Sequence, residues 1–198
     1  MRSLETPRAP PDPAQLIARY YPPDSAGFTL LITHGRQVAQ RALAIARRLV
    51  HLNPDLKFIR EAALLHDIGI FKTHAPGLGF YGREPYIRHG IIGRDILGRH
   101  GLPRHARVAE RHVGVGLSVA DIQNQHLPLP LRDMRPETLE EEIICYADLF
   151  FSKNGSRDQV RSLEAVVRAM APFGADKTAT VEAWARRFEP LAVRREDI

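Results

Sequence analysis

An all-α, single-domain helical bundle is the fold this 198-residue sequence predicts. Three observations carry that expectation. Apolar residues recur at spacings of three and four, and no segment alternates with period two between turn signals. The breaks between periodic stretches hold helix-start and helix-stop residues. The length suits one core with a small elaboration, able to bury about 70% of the unfolded surface without staples.

Pro7 to Pro13 reads as an arm that ends in a helix start, with Asp12 as N-cap and Pro13 at the first position. That helix runs to Tyr21, where Pro22-Pro23 stops it. A long helix follows from Thr29 to Leu52, with Val38, Ala42, Ile45, Ala46 and Leu49 on one face and Asn53-Pro54 closing it. Leu56 to Ile68 forms the third, ending at Gly69. The Gly- and Pro-rich segment Phe71 to Pro85 reads as a loop.

Pro85 opens a helix to His100, broken by Gly101-Leu102-Pro103, and Pro103 opens the next to Val113. Gly114 to Pro136 is irregular around a short helix from Ser118 to Asn124. A helix from Glu137 to Lys153 carries Leu139, Ile143, Ala147 and Phe150 on one face. Two more, Arg157 to Ala171 and Asp176 to Ala192, complete the chain. This divides the sequence into an arm and short helix (1–25), a core (26–155) and C-terminal helices packed on it (156–198). Those last helices cover the core or mediate self-association as a homodimer.

Composition narrows the function classes. A hydrophobic share of 44% and a charged share of 26% exclude a disordered, collagenous or membrane protein. A single cysteine, Cys145, excludes a disulfide framework and a thiolate-built metal site, and it suits a reducing compartment. The N-terminal residues lack the apolar core of a secretory signal, and no apolar run approaches spanning length. A cytoplasmic protein with no membrane partner is expected.

The formal net charge is +5, from 28 basic and 23 acidic residues. Between Ile68 and His112 lie eight basic residues (Lys72, Arg83, Arg88, Arg94, Arg99, Arg104, Arg107, Arg111) against three acidic ones (Glu84, Asp95, Glu110). The whole excess sits there, either as a solvated helical surface or as a field that concentrates anions. Nucleic acid is a poor fit as partner, because no stacking aromatics interleave with the charges and no reader motif appears.

Nine histidines exceed what a core needs. The strongest signal is His66-Asp67-Ile68-Gly69, which closes the third helix. A neighbouring imidazole and carboxylate are good ligands for a divalent transition metal, and Gly69 lets the backbone turn away from them. His34, in the preceding long helix, and Asp148, an acid on an apolar face, are the natural partners. A buried lone carboxylate costs several kcal/mol unless it is paired or coordinates a metal.

His34, then His66-Asp67 within Ala62-Ala-Leu-Leu-His-Asp-Ile-Gly69, then Asp148 within Tyr146-Ala-Asp148, resembles the HD-domain superfamily of metal-dependent phosphohydrolases. The resemblance spans His34 to Lys153. It implies an HD-type helical bundle in which His34, His66, Asp67 and Asp148 ligate a metal. It is similar to the binuclear members, which insert histidines in the interval holding His89 and His112. By that resemblance the latter two bind a second metal and Asp67 bridges the pair as the catalytic carboxylate.

Two divalent transition metals (Fe, Mn, Co, Ni or Zn) would then hold a bridging hydroxide that attacks a phosphate ester or anhydride of a nucleotide or small metabolite. Lys72, Arg88 and His74 are the expected substrate contacts. Many binuclear members place a lysine directly after HDIG, whereas this chain has Ile70 there and Lys72 two positions on. Two other readings share the motif. One is a mixed-valent di-iron oxygenase; the other is a non-catalytic ligand-binding module.

Overall fold

The computed structural model describes residues 12–153 and 160–190. The expected arm before Asp12, the helix start at Arg157 and the helix end at Ala192 fall outside the described residues. Within them the chain is helical: α1 (Pro13–Ala18), α2 (Ala26–Arg48), α3 (Leu56–Leu65), α4 (His89–Arg99), α5 (Pro103–Arg111), α6 (Val119–Asn124), α7 (Leu139–Asp148), α8 (Leu163–Met170) and α9 (Ala175–Phe188). No helix among the described residues is long and apolar enough to cross a membrane.

Side-chain caps explain where the helices begin. Asp12 accepts from the Gln15 amide, Asp55 from Phe58 and Thr138 from Glu141, each relieving an orphan donor of a first turn. Ser25 caps α2 in the same way, accepting from Phe28, so this helix starts at Ala26 rather than Thr29. At the other end α2 stops at Arg48 and the chain tightens into a 3₁₀ turn over Val50–Leu52, with Asn53 left-handed before Pro54.

Two further expectations need correction, besides Pro85, which lies in a short strand and does not open the helix that starts at His89. The loop after the third helix contains a miniature sheet of β1 (Thr73–Ala75), β2 (Phe80–Tyr81) and β3 (Glu84–Pro85), in the order β2-β1-β3. β2 runs antiparallel and β3 parallel to β1. Strands of two or three residues are too short to show alternation. The second correction is α7, which ends at Asp148 and not at Lys153. Phe151 instead bridges to Val160, and the Arg161 amide donates to the Phe150 carbonyl. Residues 149–153 therefore fold back as a turn, and that redirects Lys153.

The main core joins α2, α3 and α7 to the C-terminal helices, with Val38, Ala42, Ile45, Ala62, Ile143, Tyr146, Trp184 and Phe188 buried together. Tyr146 fixes α9 against this core through a 3.0 Å hydrogen bond to Glu189. A second cluster packs α1 and the HDIG turn on α4 and α5, around Leu16, Ile17, Tyr21, Ile68, Ile96, Leu97 and Ala109. The candidate site draws its residues from the elements of both clusters. Part of the basic excess of the central segment is answered by carboxylates: Arg94 pairs with Glu110 inside the segment, while Asp55 from outside it pairs with Arg104, and Glu137 and Glu141 with Arg111; Arg132 adds a second partner for Glu110.

Candidate metal centre

Each of the six expected ligands sits at a place fixed by local structure. His34 is buried midway along α2. His66 caps the C-terminus of α3, with Asp67 next to it. His89 is the first residue of α4, His112 caps α5, and Asp148 is the last residue of α7. His66, His112 and Asp148 thus lie at helix C-termini, where the partial negative charge of the helix dipole favours a cation.

Two glycines set the approach of these elements. A Cβ on Gly69 would lie 2.2 Å from the His89 carbonyl and 2.6 Å from the Gly93 amide, so only glycine lets the HDIG turn reach α4. A Cβ on Gly90 would lie 2.6 Å from the Ala109 carbonyl, so glycine also lets α4 meet α5 beside His112. The backbone of Gly69 is ordinary right-handed (φ −82°), so what it contributes is space and not a special turn. Tyr21 pins the same turn from behind, donating to the Ile68 carbonyl and accepting from the Phe71 amide, both at 3.0 Å.

The structure brings all six side chains into one cluster, and Asp67 divides it. Asp67 Oδ2 faces His34 Nε2 at 3.3 Å and His66 Nε2 at 3.2 Å. Asp148 Oδ1 completes that side, 2.9 Å from His34 Nε2 and 3.5 Å from His66 Nε2. Asp67 Oδ1 faces the other way, 3.5 Å from His89 Nε2 and 3.4 Å from His112 Nε2.

Three rings are locked by the same device. The Nδ1 of His66, His89 and His112 meets the carbonyl of Ala63, Tyr86 and Ala109 respectively, at 2.7, 2.7 and 2.8 Å. A carbonyl only accepts, so each Nδ1 carries the proton and each Nε2 is turned to the centre. The Tyr86 ring stacks on His89, centroids 4.7 Å apart, and closes that flank.

The donor atoms fit a metal. His34 Nε2, His66 Nε2, both Asp67 oxygens and Asp148 Oδ1 are buried without a hydrogen-bond partner. They approach their neighbours at ion-pair distance but without hydrogen-bond alignment. Each unsatisfied buried group costs about 1–3 kcal/mol, and coordination to a cation on each side of Asp67 would relieve that cost. His34, His66 and Asp148, or His66, Asp67 and His112, can each offer one ligand atom within 4.8 Å of the others. Imidazole with carboxylate and no thiolate suits the late transition metals and manganese.

Charge is balanced inside the cluster. Burial pushes the carboxyls of Asp67 and Asp148 up, but the Lys153 ammonium together with the surrounding histidines holds both well below the usual carboxylate range. Burial disfavours the charged His66, yet the adjacent carboxylates push its pKa up to about 10. His89, buried and beside His112, is pushed down to about 3, and burial followed by Lys153 lowers His34.

Lys153 was not among the sequence-derived site residues. Its Nζ lies 2.8 Å from Asp67 Oδ2, and its side chain is 14% exposed. The available signal was the turn dipeptide Asn154-Gly155 just beyond it, which argues for an early end to α7. Of the three expected substrate contacts, Lys72 is exposed with its ammonium 5.9 Å over the Phe71 ring. Arg88 is engaged by Glu84 at 2.8 Å and the Pro128 carbonyl at 2.9 Å. His74 lines a cavity together with Lys153.

Comparison with known proteins identifies the family. The HD domain profile matches residues 31–151. The chain is 36% identical over 123 residues to a "tRNA (cytidine(56)-2'-O)-methyltransferase" of Thermoplasma volcanium, which covers 62% of the chain and 32% of that protein. A protein of the same name from Picrophilus torridus is 36% identical over 121 residues, 60% of the chain and 30% of the relative. An uncharacterized protein of Methanocaldococcus jannaschii is 34% identical over 135 residues, 66% of the chain and 72% of the relative. The chain therefore spans about a third of the length of the two methyltransferases. No solved structure matches the chain.

Proposed function

The chain belongs to the HD domain family, and on that premise we propose that it is a metal-dependent phosphohydrolase. The substrate is a phosphate ester or anhydride of a small metabolite or nucleotide. His34, His66, Asp67 and Asp148 hold one divalent transition-metal ion; His89, His112 and Asp67 hold a second. The observation that supports this most is the division of Asp67, whose two oxygens face different histidine pairs.

Bound there, the cations supply Lewis acidity at the phosphoryl oxygens and an acidified water as nucleophile. The chain does the rest. Asp67 and Asp148 are ionised at neutral pH and need no deprotonation to serve as ligands. The three Nδ1–carbonyl hydrogen bonds hold the imidazoles in one tautomer and one orientation, so little reorganisation accompanies turnover. Hydrolysis forms a bond from water oxygen to phosphorus as the ester P–O bond breaks, and a water proton ends on the leaving oxygen.

The test is phosphate release from a panel of nucleotides and small phosphate esters, using protein stripped of metal and reloaded with Mn²⁺, Fe²⁺ or Co²⁺. Release that requires metal and disappears in Asp67→Ala is the expected result. A metal-loaded protein that releases phosphate from no class of ester contradicts the reading.

The relatives' names favour a second reading, in which the domain serves tRNA modification. Arg99 and Arg107 are exposed around one cavity of about 530 Å³ beside α4 and α5, where a phosphate backbone could lie. Binding of unmodified tRNA by the purified protein, lost with Arg99→Ala and Arg107→Ala, is the outcome that would support it. Equal binding by the doubly substituted protein would remove it.

A further inference from the structure

Beside the cluster lies a cavity of about 280 Å³, just under the usual range for small-molecule pockets. Its polar lining includes Lys153, Arg161 and His74; Tyr86, Phe151 and Leu78 supply apolar wall. We propose that this cavity is the substrate pocket, that Lys153 binds the phosphoryl group undergoing hydrolysis, and that Arg161 binds a second anionic group of the same small substrate. The proposal rests on the phosphohydrolase reading and adds to it a substrate class: compact phosphate monoesters bearing a further carboxylate or phosphate.

Four features carry it. Lys153 links pocket and centre: it lines the cavity while its Nζ stands 2.8 Å from Asp67 Oδ2. A phosphoryl group at the cluster would therefore meet that ammonium. The turn after α7 puts it there, since a helix continued past Asp148 would not fold back on the centre.

Arg161 is brought to the same cavity by the Phe151–Val160 bridge and its own amide bond to Phe150. Its guanidinium pairs with no carboxylate among the described residues, unlike Arg94, Arg104, Arg111 and Arg132 elsewhere in the fold. An arginine left open beside a lysine makes a site with two separated positive charges, and its planar fork suits a carboxylate or phosphate. The small volume excludes a long polymer from the cavity.

The test pairs a binding and a kinetic readout on metal-loaded protein. Inorganic phosphate binding is measured by calorimetry in wild type, Lys153→Met, Lys153→Arg and Arg161→Gln. The ratio of kcat/KM for 3-phosphoglycerate over glycerol 1-phosphate is measured in parallel. Lys153→Met is expected to weaken phosphate binding about tenfold or more, with Lys153→Arg recovering part of it. Wild type is expected to prefer 3-phosphoglycerate, and Arg161→Gln to erase the preference through KM with little change in kcat.

Unchanged phosphate affinity in Lys153→Met at normal metal content overturns the proposal, as does a preference that survives in Arg161→Gln or is absent from wild type. Phosphate bound in a Lys153-dependent manner without hydrolysis of any ester would keep the Lys153 site and remove the phosphohydrolase reading. Hydrolysis with neither residue's effect would do the reverse. Exposed Arg161 leaves folding untouched, so its variant is informative even if Lys153→Met is unstable.

Discussion

The Nε2 atoms of His89 and His112 face each other across 3.0 Å, while both Nδ1 protons are committed to backbone carbonyls. Two neutral imidazoles so arranged point lone pair at lone pair, which is repulsive unless a proton or a cation lies between them. Burial and the neighbouring His112 push the His89 pKa down to about 3, so His89 itself carries no second proton near neutrality. A metal ion held by both nitrogens would relieve that repulsion. Replacing both residues by alanine is expected to lower bound metal from about two ions per chain to about one. Elemental analysis of purified protein reads this directly; unchanged stoichiometry would place any second ion elsewhere.

Metal affinity should rise with pH. The His66 pKa is raised to about 10, so near neutrality its imidazole is protonated and a metal must displace that proton. Displacement of one proton strengthens binding about tenfold per pH unit up to that value. The same proton stabilises the metal-free fold below the ordinary histidine range, and that contribution is lost as pH rises toward 10. Titrations of metal-free protein between pH 6 and 9 check both signs, affinity increasing and apo stability decreasing. Asp67 and Asp148 add no slope here, because both are already ionised.

Two glycines of one region should respond in opposite directions to alanine. At Gly69 the added methyl collides with backbone on α4, 2.2 Å from the His89 carbonyl. Gly69→Ala is expected to destabilise by about 1–3 kcal/mol or more and to reduce metal binding, since the turn must move away from His89. At Gly98, inside α4, a Cβ meets nothing within 4 Å. Gly98→Ala is expected to stabilise by about 0.5–1 kcal/mol, raising Tm by a few degrees. Thermal melts of the two variants supply the comparison.

Ile68, the third residue of the HDIG string, is fully buried between the turn, α1 and α4. Ile68→Ala is expected to cost about 2–5 kcal/mol as a cavity, with metal affinity falling as the turn loosens. Ile68→Val should cost only about 0.5–1.5 kcal/mol. Denaturant unfolding of both variants measures the pair, and equal losses would show that the turn is not held by packing.

Much of the fold was legible in the sequence because its punctuation is local. Asp12, Asp55 and Ser118 mark helix starts whatever the tertiary context, and Pro103 does the same for α5. The end of α7 was not, because Leu149 and Phe150 continue the apolar pattern past the last helical residue. The little sheet was illegible for a different reason: its pairings are tertiary, and its strands are too short to carry a period. For the site, local spacing offered only His66-Asp67. The grouping of side chains from five helices came from the resemblance, and nothing in that resemblance pointed to Lys153. Arg88 and Lys72 lie near the motif in sequence, whereas the ammonium beside Asp67 arrives from the turn after α7.

The central claim is that one carboxylate, Asp67, joins two metal positions. Anomalous diffraction at the metal edge from manganese-loaded crystals tests it most directly. The expected result is two peaks about 3.5–4 Å apart, one toward His34 and His66 and one toward His89 and His112, with Asp67 between them. A single peak, or peaks out of bonding reach of Asp67, would contradict it.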